Sequence, residues 1–494
     1  MKHLSEDQIK KIFGLKLKQC RTEKDLSLLG LSKLTGLSKS YLNEIEKGKK
    51  YPKQDKVIAL AEALETSYEE LVSVKLKGNM ASLGEIVQSG VLKEMPLNLF
   101  GIDENSLIDI ISGAPEKVTA FIGTIFEMTR EHNITKEYFY LSSLRGFQER
   151  KENYFERIEQ EVEKFAKRYQ LDLSKKVVSE ELEEILKDEF NYSIDDNQLT
   201  EQDYPDAIRS VFIPKENRLL IAKPTSETQR VFILAKELAY AHLGISQRPL
   251  TFTWIKFSHF EEVLNNFRAS YFAGALILPK ERFTQDLESF FQSKKWDPKA
   301  FLSLLHKYTD SAETFFQRLT NVLPHEMGIR DIFFLRFHTK SNQLPQLNKE
   351  LHLSKKHQPH KMDRREHYCM RWVSTDILIN QDDYVEMDGI RVGVQISRFH
   401  ENGANYLVIT SSNADPFKAD RFRSVCIGIE LNNRQRKKIG FVKDEQIQKR
   451  EVNQTCERCG ILDCKDRMAD ADIFLREKRN QEIEKRVYDL IGKV

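Results

Sequence analysis

Residues 230–243 read RVFILAKELAYAHL and have the layout of a zinc-binding helix that lacks its zinc ligands. In the motif H-E-x-x-H, two histidines one helical turn apart bind the metal and the glutamate between them acts as general base. Lys236 and Tyr240 stand at the two histidine positions, and Glu237 keeps the position of the base. A protonated lysine cannot bind Zn²⁺, and His242 lies off the helix face that residues 236 and 240 share. The segment therefore predicts a cleft that binds a molecule instead of cutting it, while an ordinary apolar helix is the simpler interpretation.

The elements on either side of this helix strengthen the first interpretation. Residues 206–223 alternate in polarity like a β-hairpin with a Pro-Lys-Glu-Asn turn, and residues 265–279, NNFRASYFAGALILP, form a helix rich in small residues. This order resembles the ImmA/IrrE metallopeptidase family. The resemblance implies that the third zinc ligand falls at position 266, which is Asn266 here. With all three ligand positions changed, we expect no catalytic zinc and no catalytic residue, and a structural role for Glu237.

The same region supplies candidate contacts for a ligand. A pocket for an acyl-CoA needs cations for the phosphates and an apolar slot for the acyl chain. The candidate pocket residues are Arg230, Lys236, Tyr240, Asn266 and Arg268. The competing interpretation makes each of the cations a surface group or a salt-bridge partner.

A second site for chemistry is the cysteine-rich stretch CERCGILDCKDR at residues 456–467. Cys456, Cys459 and Cys464 have the spacing C-x₂-C-x₄-C, and Cys369 in HYCMRW is the best candidate for a distant fourth ligand. In a reducing compartment such a cluster favours a metal over a disulfide. A three-plus-one arrangement suits a [4Fe–4S] cluster, a structural zinc is the alternative, and a site without metal also remains open. Cys20 and Cys426 are predicted core residues.

The N-terminal residues 9–72 predict five short helices. Ser27 and Ser38 are N-caps of the second and third helices, and Gly36 lies at the turn between them. The stretch LSKLTGLSKSYLNEIEKGKKYP resembles the lambda-repressor-like (XRE) helix-turn-helix family. One departure is Leu28, which stands where that family often has a glutamine that touches the DNA backbone.

The resemblance makes residues 38–47 the recognition helix in the DNA major groove. Residues near its outward, N-terminal side would read base edges, and the following lysines would contact phosphates. The candidate DNA-binding residues are Ser38, Lys39, Ser40, Asn43, Glu44, Lys47, Lys49 and Lys50. A helix-turn-helix that makes only protein contacts is the alternative.

Composition and charge agree with a basic DNA-binding module on a larger body. The chain has 494 residues, 40% hydrophobic and 31% charged, which is typical of soluble globular domains. Residues 1–80 carry 16 Lys and Arg against 11 Asp and Glu, whereas the rest of the chain is slightly acidic. We see no secretory signal and no run of apolar residues long enough to cross a bilayer, so we expect a cytoplasmic protein without a membrane partner.

These features predict a multidomain α+β protein. An all-α helix-turn-helix domain spans 1–78, and a helical connector, for which dimerisation and a simple spacer are the alternative roles, spans 79–150. An α+β, zincin-like pseudo-peptidase domain without zinc ligands covers 151–345, and a strand-rich C-terminal domain with the cysteine cluster covers 346–494.

This order of domains resembles the short-chain fatty acyl-CoA regulator family of bacterial transcription factors. The stretches that carry the resemblance are FRASYFAGALILP, ETFFQRLTNVLP with IFFLRF, HYCMRW and CERCGILDCKDR. Gly460 replaces the proline that usually follows the second cysteine in that family. The resemblance implies an acyl-CoA effector, a double-stranded DNA operator and, in some members, an iron–sulfur cluster.

Three hypotheses of function follow. The first is a DNA-binding transcription factor, a homodimer or higher homo-oligomer, that senses a short-chain acyl-CoA in the pseudo-peptidase domain. The second is a pseudo-peptidase that regulates a protein partner and has no small ligand. The third, an active metallopeptidase, is disfavoured because the zinc ligands are absent.

Overall fold

The computed structural model describes residues 5–75, 136–199, 208–249, 257, 259–340, 343–353, 366–415 and 418–491. The chain divides into two compact units. One contains Met1–Leu144 and Phe257–Val263, and the other contains Arg145–Lys256 and Leu264–Val494. Most of the predicted connector at 79–150 lies outside the described residues. Its described part belongs to one helix, Lys136–Arg150.

The N-terminal module has the five helices that the sequence predicts. They are α1 (Glu6–Glu23), α2 (Leu28–Thr35), α3 (Lys39–Glu46), α4 (Gln54–Ala63) and α5 (Tyr68–Val72). The hydroxyls of Ser27 and Ser38 cap α2 and α3 by accepting from backbone amides. Gly36 ends α2 with a φ of 70°, a conformation that favours glycine. The predicted N-caps, Ser27 and Ser38, and the predicted turn at Gly36 are therefore confirmed.

A buried ion pair and an apolar core hold this module together. Leu31, Leu42 and Ile45 lie in one cluster of buried side chains, and Leu28 packs against its edge. Arg21 on α1 binds the buried carboxylate of Glu46 on α3 through two bonds of 2.6 and 3.0 Å. Bidentate geometry of this kind fixes the angle between the two helices. The predicted recognition helix, α3, is thus held in place by contacts on the side that faces the core.

Gly14 is expected to be essential for the fit of α1 against α3. A Cβ added at Gly14 would lie 2.3 Å from the carbonyl oxygen of Ile45 and 2.7 Å from that of Glu46. Gly14→Ala must separate the two backbones, and such overpacking costs about 1–3 kcal/mol. We expect amide hydrogen exchange in α1 and α3, followed by mass spectrometry, to become about tenfold faster.

Gly30→Ala is the matched control, because an added Cβ at Gly30 would meet atoms no closer than 3.5 Å. Equal exchange rates in the Gly14→Ala variant and the unaltered protein would contradict the close packing of α1 on α3.

The following residues form three strands and several helices around the changed zinc motif. The helices are α6 (Lys136–Arg150), α7 (Glu156–Arg168), α8 (Ser179–Phe190), α9 (Glu227–His242), α10 (Phe260–Ile277), α11 (Lys280–Phe291), α12 (Pro298–His306) and α13 (Ala312–His325). The strands are β1 (Ser193–Asp195), β2 (Ser210–Ile213) and β3 (Arg218–Ile221). Strands β2 and β3 pair antiparallel across residues 214–217, so the predicted hairpin and its turn are confirmed. Helix α9 carries the changed motif.

The strand-rich region forms a larger sheet. Its elements are β4 (Ile332–Lys340), β5 (Gln346–His352), α14 (Val373–Ile379), β6 (Val385–Met387), β7 (Ile390–Phe399), β8 (Asn405–Asp415), β9 (Lys418–Glu430), α15 (Gln435–Lys438), β10 (Gln448–Val452) and α16 (Asp472–Ile491). The strand order is β10-β7-β8-β9-β4-β5, with β6 on β7, and only β10 pairs parallel to its neighbour. The first strand, β4, therefore lies inside the sheet and pairs with both β5 and β9.

Alternating side chains of this sheet enter two different cores. On β4, Phe334 faces the cluster that also contains Phe315 and Phe316 of α13, whereas Phe333 and Leu335 face the cluster that contains Ile377 of α14. A strand with two buried faces is nearly all apolar, as IFFLRF is. The first of these two clusters contains residues from before and after position 345, such as Phe315 and Ile427. The mixed α+β architecture predicted from the sequence is confirmed.

Candidate functional site

The recognition helix α3 presents polar side chains outward. Lys39 and Ser40 at its start are exposed, and so are Lys47, Lys49 and Lys50 after its end. Asn43 and Glu44 are half-buried on the same helix, and the hydroxyl of Ser38 serves as the cap. Glu44 forms a 2.8 Å ion pair with Lys50, so one candidate phosphate contact is partly neutralised within the module. The remaining exposed lysines keep a positive face beside the helix.

The residues at the three former zinc-ligand positions meet in space. Lys236 donates a 2.6 Å hydrogen bond from Nζ to Oδ1 of Asn266, and the hydroxyl of Tyr240 lies 3.4 Å from the same oxygen. Lys236 and Tyr240 are one turn apart on α9, and Asn266 lies on α10. A lysine ammonium thus makes the contacts between α9 and α10 that a zinc ion would make with ligands at these positions. Hydrogen bonds therefore join the residues at these three positions.

Glu237, the residue at the position of the general base, is occupied by an ion pair. Arg248 donates from Nη2 to both carboxylate oxygens of Glu237 at 2.6 Å, and both side chains are buried. The guanidinium of Arg248 also lies over the rings of Tyr240 and Phe212, at 3.9 and 4.2 Å from their centroids. A carboxylate held in this way cannot accept a proton from water without breaking a buried ion pair. The arrangement favours a structural role for Glu237.

Burial lowers the pKa of Lys236 from its ordinary 10.5 to about 8; Glu237 opposes this decrease and Arg248 adds to it. Between pH 8 and 10.5 the unfolded chain therefore holds a proton that the folded chain has lost, so Lys236 makes the fold more stable as the pH rises. Lys236→Met removes this dependence. We expect the stability of the variant relative to the unaltered protein to fall by about 3 kcal/mol over that window, measured by urea unfolding.

An exposed lysine gives the control for this prediction. Lys175→Met is this control, because the Lys175 side chain is 78% exposed. A constant difference for Lys236→Met would mean that Lys236 titrates normally.

The two other predicted pocket cations have different neighbours. Arg230 binds Asp196 at 2.7 Å and Glu183 at 2.5 Å, away from the Lys236 group. Arg268 donates to Oδ1 of Asn265 at 3.0 Å. The structure thus brings together Lys236, Tyr240 and Asn266, which the sequence grouped, but it gives Arg230 to a separate ion-pair cluster. The positive charge beside the former zinc cleft comes instead from Arg248.

All four predicted metal-ligand cysteines line one cavity. Cys369, Cys456, Cys459 and Cys464 surround about 280 Å³ of space, part of it open to solvent. An isolated β-bridge pairs Tyr368 with Thr455, and this bridge places the distant Cys369 beside the other three cysteines. Cys369 donates its backbone amide to the carbonyl of Gln454, and Cys456 donates its amide to that of His367. Two segments almost ninety residues apart therefore form the walls of one site.

Arg467 organises the cysteine loop from inside. Its guanidinium donates to the carbonyls of Cys456, Ala469, Cys459 and Ile461 at 2.7, 3.1, 3.0 and 2.8 Å. Its Nε is buried and has no hydrogen-bond partner within the described residues. The backbone amide of Met468 points to Sγ of Cys456 at 3.5 Å. N–H donors beside the sulfurs are the surroundings that stabilise thiolate ligands of a metal.

The donor set fits a soft metal ion or an iron–sulfur cluster, since thiolates are the preferred ligands of both. Burial raises the pKa of Cys369 to about 11, so a metal would have to displace a proton from this thiol. Within the described ranges, no group of three or more His, Cys, Asp and Glu side chains is already arranged to hold a metal ion.

Sequence reasoning missed two arginines that shape these sites. Arg248 follows α9 by six residues, and nothing in its sequence neighbourhood marks it as the partner of Glu237. Arg467 ends the cysteine-rich stretch, and its place next to C-x₂-C-x₄-C is a weak signal for a loop organiser. Arg248 reaches a side-chain carboxylate and Arg467 reaches backbone carbonyls, and spacing rules capture neither contact.

Comparisons with known proteins identify two domains. Residues 17–71 match the helix-turn-helix family, and residues 190–320 match the IrrE N-terminal-like domain family. No curated protein matches the chain. The chain thus contains a helix-turn-helix domain, a class of domain that binds DNA, and an IrrE-like domain.

Three solved structures are similar to parts of the chain. A Mycobacterium tuberculosis transcriptional regulator is 19% identical with a TM-score of 0.48, over 67% of this chain and 93% of that one. The restriction-modification controller protein C.AhdI from Aeromonas hydrophila is 35% identical with a TM-score of 0.12, over 13% and 94%. An HTH_3 family transcriptional regulator from Vibrio cholerae is 27% identical with a TM-score of 0.14, over 17% and 43%. Within the described residues, no helix is both long and apolar enough to span a bilayer.

Proposed function

We propose that this regulator is a homodimer that changes its affinity for an operator when its IrrE-like domain binds a short-chain acyl-CoA, and that its four clustered cysteines hold a [4Fe–4S] cluster or a zinc ion. The chain acts as a sensor and not as a peptidase. The effector biases the protein between two arrangements that differ in affinity for DNA.

The observation that carries the sensor role is the hydrogen-bonded group at the former zinc positions. Lys236, Tyr240 and Asn266 contact one another where a peptidase would hold its metal. Lys236 and Arg248 together bring two cations against the single carboxylate of Glu237, which favours an anionic ligand nearby. Phosphates of an acyl-CoA would meet this requirement and would stabilise protonated Lys236. The acyl-CoA class itself comes from the resemblance of the chain to the acyl-CoA regulators.

Thermal-shift titration with acetyl-, propionyl- and butyryl-CoA and with free CoA tests the effector. A melting temperature that rises with the concentration of one acyl-CoA supports sensing. No shift with any of them overturns the acyl-CoA effector and favours the alternative, a pseudo-peptidase that regulates through a protein partner. Lys236→Met should weaken the shift, whereas Lys175→Met should not.

A separate prediction concerns the DNA contacts. It is tested on an operator that is first selected from random DNA sequences by binding to the protein. Lys47→Ala should weaken binding to all sequences and reduce the slope of log affinity against log salt by about 1, because one phosphate contact is lost. Asn43→Ala should cost about 1–3 kcal/mol on the operator and little on unrelated DNA. Fluorescence anisotropy at several salt concentrations measures both effects. Equal losses on operator and unrelated DNA for Asn43→Ala would contradict base recognition by α3.

A further inference from the structure

The last described helix, α16, has a largely exposed surface. It runs for 20 residues from Asp472 to Ile491, and none of them is buried. Among its apolar residues, Ile483, Val487 and Leu490 are 52%, 47% and 61% exposed. In proteins most of the stability of a helix comes from packing its apolar face and not from helix propensity. The helix therefore needs a surface that the described residues of its own chain do not provide.

The spacing of these residues is that of a coiled coil. Ile483, Val487 and Leu490 follow one another at intervals of four and three residues, which are the d, a and d positions of a heptad. Val at a and Leu at d favour two strands. The preceding a position is Asn480, a residue that fixes register and the two-stranded state at this position. Arg476 occupies the d position before it, so the seam formed by the a and d residues runs from Asn480 to Leu490.

The charged residues that flank the a and d positions favour one partner helix and one relative orientation of the two helices. In this register Arg479 occupies a g position and Glu484 the following e position. In a parallel pair of identical helices, each g residue faces the e residue five positions later on the other helix. Arg479 of each chain then meets Glu484 of the other, twice by symmetry. An antiparallel pair would instead place like charges together, Arg479 near Arg486 and Glu477 near Glu484.

We propose that α16 pairs with α16 of a second copy of this chain as a short parallel coiled coil. The proposal rests on the proposed function in taking the regulator to be a homodimer, and it goes further by naming the surface and its direction. Dimeric helix-turn-helix proteins place their two recognition helices on two half-sites of the operator.

The start of α16 links this surface to the cysteine cavity. Phe474 donates its backbone amide to the carbonyl of Glu457, and its ring lies against Gly460, where an added Cβ would come within 3.0 Å of it. Both contacts lie in the cysteine loop. Because parallel helices begin at the same end, the two cysteine loops of the dimer would lie side by side.

Analytical ultracentrifugation of the full chain over a range of concentrations tests the pairing. Val487→Asp and Leu490→Asp should each raise the dimer dissociation constant by about tenfold or more, because a carboxylate enters the seam. Tyr488→Asp is the matched control: Tyr488 is apolar and 67% exposed, but it lies off the seam, so its replacement should leave the dissociation constant unchanged. Circular dichroism of each variant checks that the chain still folds.

Charge reversal tests the direction. Arg479→Glu or Glu484→Arg alone should weaken a parallel dimer, and the two substitutions together should restore it; a stronger dimer from either single change would establish an antiparallel pair and overturn the proposal. A dimer that survives both Val487→Asp and Leu490→Asp also overturns it but leaves the proposed function intact. A chain that is monomeric at every concentration, free and on operator DNA, contradicts the homodimer in the proposed function itself.

Discussion

Replacing any one of the four clustered cysteines with alanine is expected to lower the metal bound per chain by about tenfold or more. Cys369, Cys456, Cys459 and Cys464 line one cavity, and three remaining thiolates would leave an open coordination position and a less stable complex. The measurement is iron, acid-labile sulfide and zinc content, with the visible absorbance spectrum, after anaerobic purification. Iron with an equal amount of sulfide identifies the cluster, and one zinc in a colourless protein identifies the alternative.

Cys20→Ala is the matched control, because Cys20 packs beside the core of the helix-turn-helix module and belongs to the other unit of the chain. It should leave the metal content unchanged. Variants at all four clustered cysteines that keep the full metal content would place the ion elsewhere, and an unaltered protein without metal would reject the site. If metal is lost in the variants of Cys456, Cys459 and Cys464 but not in that of Cys369, then Cys369 is not a metal ligand. The β-bridge between Tyr368 and Thr455 would then have a structural role only.

Arg318→Met is expected to destabilise the larger unit by about 3–5 kcal/mol. Arg318 is fully buried and binds Glu159 through two bonds of 2.6 and 2.9 Å, and it also donates to the carbonyl of Leu278 at 3.0 Å. Burial alone would raise the pKa of Glu159, but Arg318, helped by the hydroxyl of Tyr271, holds it below its ordinary value. Without the guanidinium, a buried carboxylate loses its partner, which is the costly way to break such a pair. Urea unfolding followed by tryptophan fluorescence gives the change.

The double variant Glu159→Met with Arg318→Met distinguishes the two origins of this loss. If the unpaired charge is the cause, the double variant should recover most of the stability, because apolar residues can fill the space of a buried ion pair. A double variant that is as unstable as the sum of the two single variants would mean that the pair contributes through packing and not through charge.

Much of the fold was predictable because its signals are local. Ser27, Gly36 and Ser38 mark the helix-turn-helix by capping and by a left-handed turn, and each depends only on neighbouring residues. The hairpin around residues 214–217 is marked in the same way by its turn residues. The order of the strands in the larger sheet was not predictable, since β4 pairs with β9 across more than eighty residues of sequence. No local pattern encodes which distant strand a given strand joins.

In the candidate sites, too, some features follow from the local sequence and others depend on contacts between distant residues. The sequence alone led to the expectation that Lys236, Tyr240 and Asn266 hold no catalytic zinc, because ligand chemistry depends on residue type. It also grouped Cys456, Cys459 and Cys464, because their spacing along the chain is short. Only the tertiary structure decided that Glu237 is bound by Arg248 and that Arg230 pairs elsewhere, because a long cationic side chain takes whichever carboxylate the fold brings within reach. Residue type thus limits what a site can do, and the fold selects the partner of each charge.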